Sequence, residues 1–82
     1  GAPNFSIRVF TLEVGGHTPH HVHASEHLNY ILQGSGEVMD GDTPRAISAG
    51  DYVLVPPDQK HQYRNTGNGP LVFMCIVPSA YE

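Results

Sequence analysis

His21-Val22-His23-Ala24-Ser25-Glu26-His27-Leu28-Asn29-Tyr30-Ile31-Leu32-Gln33-Gly34 reads with a period of two. Alternate side chains of a β-strand share a face. His21 and His23 therefore project from one side of an extended segment, a chelating pair made by strand geometry alone. His27 follows after three intervening residues, where a turn or bulge brings it back toward the same centre. Past His27 the alternation puts Asn29 and Ile31 on its own face. His20 points away from His21, and His17 and His20 read as ordinary surface histidines.

The same period runs outward in both directions. Ser6 to Val14 alternates Ile7, Val9 and Thr11 on one side with Arg8, Phe10 and Leu12 on the other. Runs rich in Val, Ile, Leu, Tyr and Phe recur to the end of the chain, each bounded by Gly, Pro, Asn or Asp. They predict about eight short strands, near residues 6–14, 19–24, 27–34, 36–40, 44–48, 51–55, 60–65 and 70–77. Gly34-Ser35-Gly36, Asp40-Gly41-Asp42 and Asn65 to Pro70 read as hairpin turns. No segment carries a helical stripe. The expectation is one all-β domain, 1–82, built as a sandwich, barrel or jelly roll.

Composition narrows the partners. The 82 residues hold eight Asp and Glu against four Lys and Arg, with no basic cluster. Binding to nucleic acid by phosphate neutralisation is not expected. The longest apolar run, Leu71 to Val77, is too short to span a bilayer as a helix. It is apolar on both faces, so one face should line the interior and the other meet a second sheet or another subunit. A chain this small also gains from a metal or a partner. A homodimer is therefore expected. Cys75 has no partner for an intramolecular disulfide, which suits a reducing cytoplasm. The chain opens on Gly1 rather than Met, as a trimmed start would, and no signal-peptide pattern begins it.

Five of the six histidines fall between His17 and His27, and the sixth, His61, opens a later strand. Neutral imidazoles suit Zn, Fe, Mn, Ni and Cu. Four of them, His21, His23, His27 and His61, would leave the charge of a divalent ion uncompensated and draw anionic ligands. A six-coordinate ion keeps two open positions, whereas tetrahedral zinc is closed by four histidines.

The spacing around these histidines resembles that of the cupin superfamily. Gly15, five residues, His21-Val22-His23, three residues, His27, six residues and Gly34 resemble its first motif (15–34). Gly50, five residues, Pro56, one residue, Asp58, two residues, His61, three residues and Asn65 resemble its second (50–65). The resemblance implies a six- to eight-stranded jelly-roll barrel, the double-stranded β-helix, with a metal ion at its centre. Two positions depart from it. Cupins commonly carry Glu where this chain has His27, and here Glu26 lies one residue earlier, facing the opposite way. Asp58 stands where a turn glycine is usual, and Asp tolerates positive φ better than most residues. The chain is most similar to the small four-histidine cupins, some of which bind manganese. Members of that subgroup usually have an extra N-terminal segment that pairs in the sheets and helps form a dimer; the 82 residues hold no counterpart of it, so a different dimer geometry is to be expected.

Tyr63, two residues past His61, shares its inward face. It would sit over the metal, hydrogen-bond a substrate or serve as a core aromatic. Phe73 and Cys75 resemble pocket-lining positions of the subgroup, so the expected pocket is Asn29, Ile31, Tyr63, Phe73 and Cys75. Mid-strand, Cys75 reads as a small buried apolar residue rather than a ligand or nucleophile. Arg8 and Arg64 are candidates for holding a substrate carboxylate. The functional expectation is a metal-dependent oxidoreductase of dioxygenase type acting on a small, anionic organic substrate. The alternatives are a non-catalytic sensor module and a purely structural metal site.

Overall fold

A computed structural model describes residues 5–18 and 26–78. They form seven strands: β1 Phe5–Leu12, β2 His27–Gln33, β3 Ser35–Asp40, β4 Thr43–Ser48, β5 Tyr52–Val55, β6 His61–Arg64 and β7 Leu71–Pro78. Each lies within a residue or two of a run expected from the alternation. The expected strand at 19–24 lies outside the described residues. No helix occurs among them, and so none is long and apolar enough to cross a membrane.

The strands make two antiparallel sheets, ordered β1-β7-β2-β5 and β4-β3-β6. Their inner faces enclose one apolar core of Ile31, Val38, Ile47, Val53, Val55, Tyr63, Leu71 and Phe73. β7 is central, paired with β1 on one side and β2 on the other. Its alternation is regular: Leu71, Phe73, Cys75 and Val77 are buried, while Val72, Met74 and Ile76 are half-buried on the outer face. Phe10 of β1 lies 5.4 Å from Phe73, centroid to centroid, and closes the core on that side.

Only one of the three expected hairpin turns is a hairpin. Gly41 and Asp42 join β3 to β4, with Asp40 opposite Thr43. Gly41 has φ 63° and no positive φ follows at Asp42, the dihedral pattern of a type II′ turn. Gly34 instead carries the chain from one sheet to the other, because β2 and β3 do not pair. Its φ is 88°, and a Cβ there would lie 2.3 Å from the Pro70 carbonyl oxygen. That closeness explains the glycine better than a hairpin would. Residues 65–70 likewise cross between sheets, from β6 to β7.

The crossing loops are pinned by buried polar groups. Asn65 is buried, and its Nδ2 donates to the carbonyls of Leu12 and Gly69, each at 2.9 Å. Its Oδ1 accepts from Gly67 N at 3.0 Å. Its backbone exchanges bonds with Gly15 and Gly16. One side chain thus joins the end of β1 to the β6–β7 crossing.

Candidate metal centre

β2 begins at His27, and its inner face runs His27, Asn29, Ile31, all buried. β6 begins at His61, with Tyr63 on the same face. The two strands belong to different sheets. Facing across the interior, the His27 and His61 rings have centroids 6.3 Å apart and planes inclined by 61°. Two imidazoles on one ion, each with a metal–nitrogen distance of ~2.1 Å, have centroids no farther apart than about 6.5 Å. The pair lies inside that outer limit, near the spacing of opposed ligands.

The ring orientations are supported. His61 Nδ1 lies 3.4 Å from the Gln59 carbonyl. A carbonyl only accepts, so Nδ1–H donates and the lone pair is at Nε2, the usual arrangement behind a metal-binding histidine. The turn holding Gln59 depends on Asp58 at φ 63°, so the aspartate does occupy the left-handed position expected of it. Cys75 Sγ lies 3.6 Å from His27 Nδ1. Burial pushes the Cys75 thiol up, against a weaker downward pull from Arg8, so the sulfur stays a neutral thiol. With the Nε2 lone pair of His27 turned to an ion, Nδ1–H donates to that sulfur.

His21 and His23 lie outside the described residues, and the ends of their segment are fixed close to the site. Thr18 N donates to the Tyr63 carbonyl at 2.9 Å, and Tyr63 N donates to Thr18 Oγ1 at 2.9 Å. Gln62 Nε2 donates to the Thr18 carbonyl at 2.8 Å. The seven residues 19–25 therefore join a point beside β6 to the start of β2. Among the described residues no three metal-ligating side chains come together. Two of the four expected histidines do, and two are not described. His17 is exposed, and Glu26 is exposed, away from the interior.

Below the histidines lie Asn29 and Tyr63, then Phe73 stacked on Tyr63 at 4.5 Å, then Ile31. Burial raises the Tyr63 hydroxyl to about 12, with the Asn29 hydrogen bond acting the other way. The phenol is thus a protonated donor at neutral pH.

Arg64 is drawn away, to Glu37 at 3.7 Å and to Gln62 Oε1 at 2.9 Å. Arg8 stands opposite Cys75 on β1, its side chain exposed. Arg45 was not singled out from the sequence, yet it stands opposite Val38 on the inner side of β4. With Asp40 at 3.8 Å, it lines a cavity of about 20 Å³ that also reaches His61. The signal was the period of two through Ile47, Arg45 and Thr43.

A cupin domain model matches residues 8–77. The chain belongs to the cupin family. Cupins generally bind a metal ion, in keeping with the paired histidines. This cupin is 34% identical over 71 residues to the 1-methylthio-D-xylulose 5-phosphate methylsulfurylase of Rhodospirillum rubrum, covering 87% of the chain and 46% of that enzyme. It is 34% identical over 58 residues to an oxalate-binding protein of Thermotoga maritima, covering 70% and 48%. The crystal structure of a cupin 2 domain-containing protein of Halorhodospira halophila superposes with a TM-score of 0.93 at 35% identity, covering 99% of this chain and 56% of that one. The chain thus spans about half the length of these relatives.

Proposed function

We propose that this cupin is a metal-dependent oxidoreductase of dioxygenase type, holding one divalent ion with His21, His23, His27 and His61. Manganese is the first choice, with iron, zinc, nickel or copper as alternatives. The supporting observation is the buried meeting of His27 and His61 from opposite sheets, in an interior where no described carboxylate joins them. An ion held by neutral imidazoles keeps its full charge and favours a small organic anion. Arg45, on the cavity that reaches His61, adds a positive group at the approach. Asn29, Ile31, Tyr63, Phe73 and Cys75, buried in the interior behind the histidines, would form the floor of the pocket and exclude water. The ion, when bound, would polarise the substrate or bring it to dioxygen. The iron and manganese forms should consume dioxygen with at least one of a catechol, a flavonol and a β-diketone. No uptake with any of them would count against the oxidoreductase.

Asp40, the described carboxylate on the cavity that reaches His61, is paired with Arg45 at 3.8 Å, which favours one second reading, a binding module without turnover. The likeness to an oxalate-binding protein agrees with it. A small anion would then raise thermal stability of the metal-loaded protein and remain unchanged. In either reading Cys75 stays reduced, as in cytoplasm.

The outer face of the four-stranded sheet supports the expected homodimer. Registered rows run Ile7–Ile76–Leu28–Leu54 and Val9–Met74–Tyr30–Tyr52, with no charge in either. Ile7, Val9, Tyr52 and Leu54 are more than half exposed. The exposed apolar area is on the order of 800 Å², what each partner buries in a standard stable interface. An uncharged, largely apolar face is complementary to itself, and two such sheets pack face to face about a two-fold axis. Sedimentation equilibrium at micromolar concentration should give twice the mass of one chain, and Ile76→Glu should give a folded monomer. A monomeric wild-type protein would show that something other than a second copy covers this face.

A further inference from the structure

Asn29 and Tyr63 form the layer beneath the histidines, each two residues past a candidate ligand on its own strand. Both are 2% exposed. Asn29 Nδ2 donates to the Tyr63 hydroxyl oxygen at 2.5 Å, and Asn29 Oδ1 has no hydrogen-bond partner among the described residues. The register sets Asn29 between Val53 and Cys75 and Tyr63 opposite Val38, so among these flanking side chains only the Cys75 thiol is polar, a weak hydrogen-bonding group lying 3.6 Å from His27 Nδ1. Phe73 covers one face of the phenol.

Counting donors and acceptors defines what is missing. With Nδ2 donating to the phenol oxygen, the pair leaves one strong acceptor, Oδ1, and two donors, the Tyr63 O–H and the second Nδ2–H. With the amide turned over, the phenol donates to Oδ1, leaving Nδ2–H as donor and the phenol oxygen as acceptor. Either way a donor and an acceptor stand side by side, buried. Apolar side chains there would fill the space without the cost of desolvating polar groups. A group that donates and accepts at once satisfies both. A hydroxyl does so, whereas a carboxylate or ketone oxygen only accepts.

We propose that Asn29 and Tyr63 read a hydroxyl group on the bound anion, so that the ligand class is a small hydroxy acid. This rests on the reading of the interior as an anion site beside metal-binding histidines. The carboxylate belongs at the histidine layer and the hydroxyl at the Asn29–Tyr63 layer.

The test is calorimetric titration of the manganese-loaded protein with propionate, lactate and 3-hydroxypropionate, then butyrate and 4-hydroxybutyrate. One hydroxy acid should bind about tenfold more tightly than its unsubstituted parent, the effect of a well-paired buried hydroxyl. In Tyr63→Phe and Asn29→Leu that preference should fall to within about twofold. Circular dichroism and manganese content, measured on each variant, read folding and the metal site separately. Tyr63→Phe removes one atom and keeps the stack on Phe73, so it stands if Asn29→Leu fails to fold. Equal binding of parent and hydroxy acids would overturn the proposal and leave the anion site intact; the pair would then hold water only. A preference that persists in both variants would also overturn it, placing the hydroxyl elsewhere. Failure of every acid to bind would overturn the anion site and the proposal together.

Discussion

Asn65→Ala is expected to remove a large part of this protein's stability, about 3–5 kcal/mol. The substitution strips the Leu12 and Gly69 carbonyls and the Gly67 N–H of their partner at once. Each such group, left unsatisfied out of water, costs about 1–3 kcal/mol. A chain of 82 residues has a total stability of roughly 4–12 kcal/mol. At the low end of that range the variant stands near its unfolding midpoint in water. The amide is also specific. Asn65→Asp retains an acceptor for Gly67 N–H but sets a carboxylate against two carbonyl oxygens, so it should do no better. Urea unfolding followed by circular dichroism measures both. A loss below about 1 kcal/mol would mean that the freed carbonyls turn to water and that the crossing is held elsewhere.

Asn65 also shows how the sequence spoke here. It was legible as a motif position, the last of the second spacing pattern, but its work was not, because its partners come from β1 and from its own loop. Strand positions were legible for a local reason. A period of two is written in each segment; β7 keeps it throughout, and β2 keeps it as far as Ile31, where the register shifts. Sheet partnership is not local. Gly34 and Gly41 look alike in sequence and both adopt positive φ. One turns a hairpin within a sheet, and the other passes the chain between sheets under the Pro70 carbonyl. Glycine signals backbone freedom and says nothing of where the chain goes next. The site divides in the same way. His27 with Asn29, and His61 with Tyr63, follow from alternation on two strands. That the two strands face one another follows from the sheet order. Gln59 escaped notice because its carbonyl, not its side chain, orients His61. Arg45 escaped because β4 is an edge strand, exposed over most of its length, and its one buried inward residue, Ile47, is a thin signal.

Losing either described histidine is the second large effect. Wild-type protein, purified without nickel affinity, should keep about one manganese ion or a competing divalent ion per chain through dialysis. His27→Gln and His61→Gln should each lower manganese affinity by at least about 100-fold, since groups that merely orient a ligand already account for about 10–100-fold. Cys75→Ala removes such an orienting group from His27 Nδ1 and should fall within that smaller range. His17→Ala should change nothing, because His17 is exposed and its Nδ1 faces Gln62 Nε2 and the Thr18 carbonyl, able to accept from the first or donate to the second, rather than the interior. Stability supplies a second readout. A ligand present at ~1,000 times its dissociation constant stabilises the folded state by about 4 kcal/mol. Manganese should therefore raise the thermal midpoint of wild-type and His17→Ala protein and barely move that of the two ligand variants. Glutamine keeps the volume and polarity of the imidazole close enough that cavity formation does not confound the comparison. Stoichiometric metal retained in both glutamine variants would place the ion away from these rings, and the oxidoreductase reading would lose the centre on which it is built.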